Sequence, residues 1–312
     1  VTFDPKVNST RAHVLLILFA LTIVTATPAL ARAQATERKI VPDDFTKNRQ
    51  ETTSASKGST SAGAPTRPRP RRTYRLASQP ATRTKTSTPG SDVAQLGVTI
   101  WRLRLVEGNG SGARVLVREK GKSSQWVPER VEADTAFREG DHVRLSIESP
   151  QAGYLYVIDR DLFADGTTGG AMLIYPWPES DNQMRPGKLV DIPEQEDDPS
   201  YFTARPSSPN QIGELLTVII TSSPLDLPIT DKPLQISNVQ MTKWENLWGR
   251  QSERFELEGG AGEAWTQQEQ QASARKGTRQ LTRDDPAPQT IYRVASADNK
   301  SILVNVRLRY GK

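Results

Sequence analysis

The chain has 312 residues, a formal net charge of +5, 35% hydrophobic residues and no cysteine. The missing thiols exclude cysteine nucleophiles, disulfides, cysteine-ligated zinc and a lipidated cysteine, so stability must come from an apolar core. Charge is uneven: residues 61–90 carry seven basic residues and no acid, which leaves the remainder slightly negative. High overall basicity is therefore no reason to expect a nucleic-acid surface on the folded part.

Lys6 and Arg11 precede an apolar run over 14–26, and small residues recur at Ala31, Ala33 and Ala35. The run is shorter than the roughly 20 residues of a spanning helix, so 1–35 is expected to be a cleaved signal peptide. A periplasmic or extracellular location follows, with no transmembrane span once the signal is removed. Residues 36–94 are rich in Ser, Thr, Pro and Arg and show little apolar periodicity. They read as a disordered basic linker, whose densest part (65–72) is a cationic spacer able to make weak contact with an anionic surface.

The folded domain is expected over 95–312. Runs at 98–105 and 113–118 are β-rich and flank a Gly-rich break, which predicts a hairpin. The stretch 137–176 reads as two further hairpins, with strands over 143–148 and 154–159 separated by Ser149-Pro-Gln-Ala-Gly153 and a second break at 164–170. Tyr154 and Tyr156 fall on one strand face, Leu155 and Val157 on the other. An almost continuously apolar run over 214–221 predicts a central strand, and runs at 290–295 and 301–308 suggest a closing hairpin. Helical signal is confined to 238–280. There Met241, Trp244, Leu247 and Trp248 share a face, and a Gln-rich stretch follows at 262–276. The fold class is mainly β: an antiparallel β-sandwich, Ig-like or jelly-roll-like, with a short helical insertion crossing one side.

Phe137-Arg-Glu-Gly-Asp-His142, Gly153-Tyr-Leu-Tyr-Val-Ile-Asp159, Asp165-Gly166, Leu173-Ile-Tyr-Pro176 and the run 213–225 together resemble a bacterial family catalogued as domain of unknown function 4384. The likeness spans about residues 135–225. It implies a small β-sandwich-like module, often attached to kinase, protease or caspase-like domains or found on exported proteins. It implies no activity, and so no catalytic residue.

Catalytic constellations are sparse. His142 is the single histidine after the signal, and no G-x-S-x-G pattern accompanies it. Glu194, Glu196, Asp197 and Asp198 cluster in a Pro-flanked segment that reads as a solvated loop. Asp159, Asp161 and Asp165 precede Gly166, a weak calcium alternative, but Phe163 stands where an EF-hand loop needs an oxygen ligand. The competing reading is a hairpin loop whose aspartates accept from backbone N–H groups. The polar segment 176–187 offers Trp177, Asn182 and Arg185 as a candidate ligand-contact loop, with Trp177 folding back over the sheet edge as the rival reading.

No cofactor is expected. The sequence points to an exported, non-enzymatic module that contacts an unknown protein or a cell-wall polymer. The alternative is an accessory or regulatory subunit of an envelope enzyme or secretion complex, which would recognise a protein partner by strand-edge pairing.

Overall fold

The computed structural model describes residues 41–51, 72–77, 93–106, 113–119, 122–274, 279–295 and 301–311. The expected signal peptide, its cleavage sites and the cationic run 65–71 lie outside these residues.

The described chain opens with helix α1 (Val41–Thr46) and strand β1 (Tyr74–Leu76). Then come β2 (Val93–Leu105), β3 (Val115–Glu119), β4 (Lys122–Val131) and β5 (Ala136–Phe137). The turn-rich stretch forms β6 (His142–Glu148), β7 (Gly153–Asp159), β8 (Asp161–Phe163) and β9 (Ala171–Tyr175). Short strands β10 (Gln183–Met184), β11 (Leu189–Ile192) and β12 (Phe202–Thr203) lead into the long β13 (Gln211–Thr221). The order closes with β14 (Leu234–Ile236), α2 (Asn238–Trp248), β15 (Ser252–Leu257), α3 (Gln267–Ser273), β16 (Thr290–Ala295) and β17 (Ile302–Tyr310).

Two sheets result. The first runs β1-β15-β16-β2-β4-β3, with β6 also paired to β2 and β11 and β12 paired to β6; the second runs β14-β9-β7-β13-β17-β5, with β10 on β7 and β8 on β13. Only β17 and β5 pair in parallel among the named strands. Alternation along the strands sends Leu96, Val98 and Ile100 of β2 and Leu145 and Ile147 of β6 into one core with Leu155 and Val157 of β7 and Leu216, Val218 and Ile220 of β13. Those side chains come from both sheets, so the sheets face each other across the core.

The outer faces are covered as well. Met241 and Trp244 of α2 pack on Tyr156, Ile158 and Ile219 of the second sheet. On the first sheet, Trp101 and Leu103 of β2 lie under Tyr201 and Trp265. Cover on both faces is why β13 reads apolar almost without interruption, since a strand wet on one face would alternate. Ser237 caps α2 by accepting from Gln240 N, and Thr266 and Glu269 form a reciprocal capping box at α3. Among the described residues no helix is long and apolar enough to cross a membrane.

Several sequence expectations are corrected. Residues 41–51 and 72–77, expected as linker, are part of the packed domain. Phe45 and Tyr74 are buried, and β1 pairs with β15. Arg49 is buried too, and its guanidinium donates to both oxygens of Glu148 at 2.7 and 2.6 Å. A few anchoring side chains suffice for this, and isolated anchors leave no periodic signal. The seat of α1 also needs Gly97, where a Cβ would come within 2.6 Å of Phe45 Cζ and 2.7 Å of Pro288 Cγ.

Three expected hairpins rearrange. Strand β4 inserts between β2 and β3, pairing with each. Strands β6 and β7 belong to different sheets, as do β16 and β17, so neither pair forms a hairpin. A short break suits a hairpin and a crossover equally; the partners of each strand decide. The insertion at 238–280 is partly helical, as expected, but does not cross one side only. It contributes β15 to the first sheet, α2 covers the second sheet, and α3 lies against β11 of the first, where Ala272 packs on Leu189.

Candidate functional site: a slot with two buried carboxylates

The alternation that builds the core also carries acids into it. Along β13, Glu214 shares a face with Leu216, Val218 and Ile220, and along β7, Asp159 shares one with Leu155 and Val157. Register places Thr217 opposite Ile158 and Glu214 opposite Asp161, so Asp159 and Glu214 are neighbours on the inner face of the second sheet.

They line a cavity of about 160 Å³ at one end of the space between the sheets. Its other walls are chiefly apolar: Phe137, Val143, Ile174, Phe202, Leu216 and Leu308. Thr203, Ala204, Arg205 and Tyr310 complete the lining. A space of this size is close to one that admits a benzene-sized molecule.

Glu214 Oε1 accepts from Tyr310 Oη at 2.6 Å and from Gln211 Nε2 at 2.8 Å. Gln211 Nε2 also donates to Asp161 Oδ1 at 2.8 Å. The remaining oxygen of Glu214, Oε2, and Oδ1 of Asp159 are buried without a hydrogen-bond partner. Unpaired buried oxygens are costly as anions, and both acids respond. Burial, reinforced by the Asp161 charge, pushes Asp159 up to about 6. Burial, reinforced chiefly by the Asp159 charge, pushes Glu214 up to about 7, against the pull of the Tyr310 and Gln211 hydrogen bonds. Tyr310 is raised in turn, by burial first and then by its bond to Glu214.

The three aspartates of the calcium alternative do not converge. Asp159 faces the slot, Asp161 accepts from Gln211, and the exposed Asp165 accepts from its own loop, from Thr167 N at 2.9 Å and Thr167 Oγ1 at 2.7 Å. Among the described residues no group of three or more metal-binding side chains is assembled. Asp165 thus serves as a turn residue, with Gly166 at φ +85° beside it.

The loop candidates lie apart from the slot. Trp177 is 36% exposed, and its carbonyl accepts from Ser180 N at 3.0 Å in a local turn. Asn182 Nδ2 donates to Leu155 O at 3.2 Å, which ties its amide to β7. Arg185 is exposed. Among the described residues no hydrogen bond, ion pair or ring contact joins Trp177, Asn182 and Arg185. His142 opens β6 between the rings of Trp126 and Tyr201, at 4.8 and 4.1 Å. Of the 194–198 acids, Glu194 is buried, and its N–H donates to Asp197 Oδ2 in a local turn.

Sequence reasoning reached Asp159 for a different role and passed over Glu214 as one residue of a central strand. A signal was present: each is an acid at the end of an apolar strand, on the inward parity. Only the pairing of β7 with β13 makes them neighbours. The chain matches no family model, no curated protein and no solved structure.

Proposed function

We propose that the chain is an exported, non-enzymatic interaction module, an antiparallel β-sandwich of Ig-like or jelly-roll-like kind, that takes its ligand in the slot between the sheets. The observation that carries this reading is the cavity itself, apolar on most walls and lined by two acids that each keep an unpaired oxygen. Likeness to domain of unknown function 4384 supports the module character and adds no activity. Export rests on the apolar run at 14–26 and its small-residue flank.

An enzyme reading would call for clustered carboxylates around a pocket, and that arrangement is partly met. Glycosidic chemistry, however, needs two carboxyls flanking the scissile bond. Asp159 and Glu214 project from adjacent strands of one sheet, a geometry suited to holding a group and poorly suited to straddling a bond.

A crosslinking pulldown from the cell envelope tests the reading, comparing wild type with Ile174→Phe, which fills the slot, and Trp177→Ala. Loss of the captured partner in the first variant alone supports the slot. Loss in the second alone moves the site to the 176–187 loop, and unchanged capture in both overturns the slot. Circular dichroism melting confirms that each variant folds.

One observation favours the accessory-subunit alternative. Between the bridge at Leu303 and the β5 pairing at Arg309, residues 304–308 of β17 have a strand neighbour only on the β13 side among the described residues. Of the outermost strands, β1, β14 and β5 are two or three residues long, which offers little template for pairing, and β3 is five residues long.

A further inference from the structure

The chemistry of the slot narrows what it can hold, granted the reading that the slot is the binding site. The acidic wall carries the carboxyls of Asp159 and Glu214, which when ionised accept and cannot donate and sit in a field made more negative by Asp161; their unpaired oxygens, Asp159 Oδ1 and Glu214 Oε2, lie just beneath the slot surface. A carboxylate or phosphate ligand would add charge of the same sign. The occupant that complements this wall is a donor carrying positive charge.

Shape separates the cations. A guanidinium binds a carboxylate best through two parallel N–H groups to its two oxygens. Glu214 cannot offer that fork, because Oε1 is taken by Tyr310 and Gln211. A divalent metal needs about six oxygen ligands, and the opposite walls are hydrocarbon. An ammonium has three donors that rotate about one bond and can reach single oxygens on two neighbouring side chains. Arg205 also lines the slot, but its side chain is 74% exposed and lies 3.9 Å from Glu139, so its charge is directed to solvent.

We propose that the slot binds a primary ammonium group on a short apolar stem, the Asp159 and Glu214 carboxylates turning to accept its N–H groups and the stem packing against Phe137, Ile174 and Leu308. Two sources share this chemistry, a free alkylamine and the lysine side chain of a partner.

The test is an NMR titration of the full-length protein at pH 8 with n-butylammonium, n-butanol and butyrate, and with a lysine-containing tripeptide blocked at both ends. Saturable shifts of slot residues with butylammonium, about tenfold tighter than with butanol and weakened about tenfold or more by Asp159→Asn or Glu214→Gln, are expected. Tripeptide binding in addition identifies the partner's lysine as a ligand source; butylammonium binding without it identifies a free amine. Butanol or butyrate binding as tightly as butylammonium overturns the ammonium assignment while leaving the slot as a binding site. No shift of slot residues with any of the four overturns both readings.

Discussion

Asp159 and Glu214 bind their protons more tightly in the folded chain than in the unfolded one, where carboxyls titrate near about 4. Their contribution to stability is therefore fully present below that pH and is lost as pH rises through 6 and 7. Replacing Asp159 with Asn should make the protein more stable than wild type at pH 8, by on the order of 2 kcal/mol, and by roughly half as much at pH 5. Urea unfolding at the two pH values measures this, and an equal gain at both would count against a buried anion. Glu214→Gln should act in the same sense but more weakly, because its carboxyl is closer to solvent. Arg49 and Glu148 show the opposite situation, a fully buried pair whose charges satisfy each other. Removing one partner strands the other, so Arg49→Met should cost about 3–5 kcal/mol, and adding Glu148→Leu should recover part of the loss. A double-mutant cycle by chemical denaturation checks the coupling.

At the scale of elements, α2 illustrates how an amphipathic pattern is used in part. Met241 and Trp244 are buried on the second sheet, Trp248 stacks on Trp244 at 6.2 Å, and Leu247, on the same predicted face, stays 52% exposed. Trp244→Ala should therefore cost about 3–5 kcal/mol, whereas Leu247→Ala should fall within about 0.5 kcal/mol of wild type. Thermal melts of the two variants separate these outcomes. The β6 strand carries a second lesson. Arg144, Ser146 and Glu148 share its outer face, as polar residues on a wet strand would, yet all three are buried. Arg144 lies 2.8 Å from Asp191 and over the Trp265 ring, Ser146 donates to Asp191 Oδ1 and accepts from Trp101, and Glu148 meets Arg49. Each partner arrives from a distant part of the chain.

For the whole molecule, the packed domain begins earlier than composition suggests. Residues 41–51 add Phe45 to a cluster with Tyr74, Phe255, Leu257 and Ile291, and Arg49 NH groups also donate to the carbonyls of Thr282, Asp285 and Pro286. A chain starting at residue 95 should thus be substantially less stable than one starting at 36. Losing Phe45 alone costs about 3–5 kcal/mol, and Glu148 is left unpaired besides. Comparing the melting temperatures of the two purified fragments tests this, and equal values would mean that 41–51 is dispensable. Deleting 61–90 to probe adhesion by the basic run would also remove β1, so such an experiment should spare residues 72–77.

The mainly β class, the central apolar strand over 214–221, the opposite faces of Tyr156 and Leu155, and the turn role of Asp165-Gly166 were all legible in the sequence. Each depends on local alternation or on the backbone needs of a turn, and local rules act within a few residues. Which strands pair was decided only by tertiary structure. The break at 149–153 fits a hairpin as well as a crossover, and β6 joins β2 and β11 in one sheet while β7 joins the other. The slot follows from the same fact. Parity aims Asp159 and Glu214 inward, but their proximity, their raised proton affinity and their two unpaired oxygens arise from the β7–β13 register and the closing of one sheet over the other. Proximity between residues 55 positions apart is a long-range property, fixed by which surfaces bury each other and not by any pattern within a single strand.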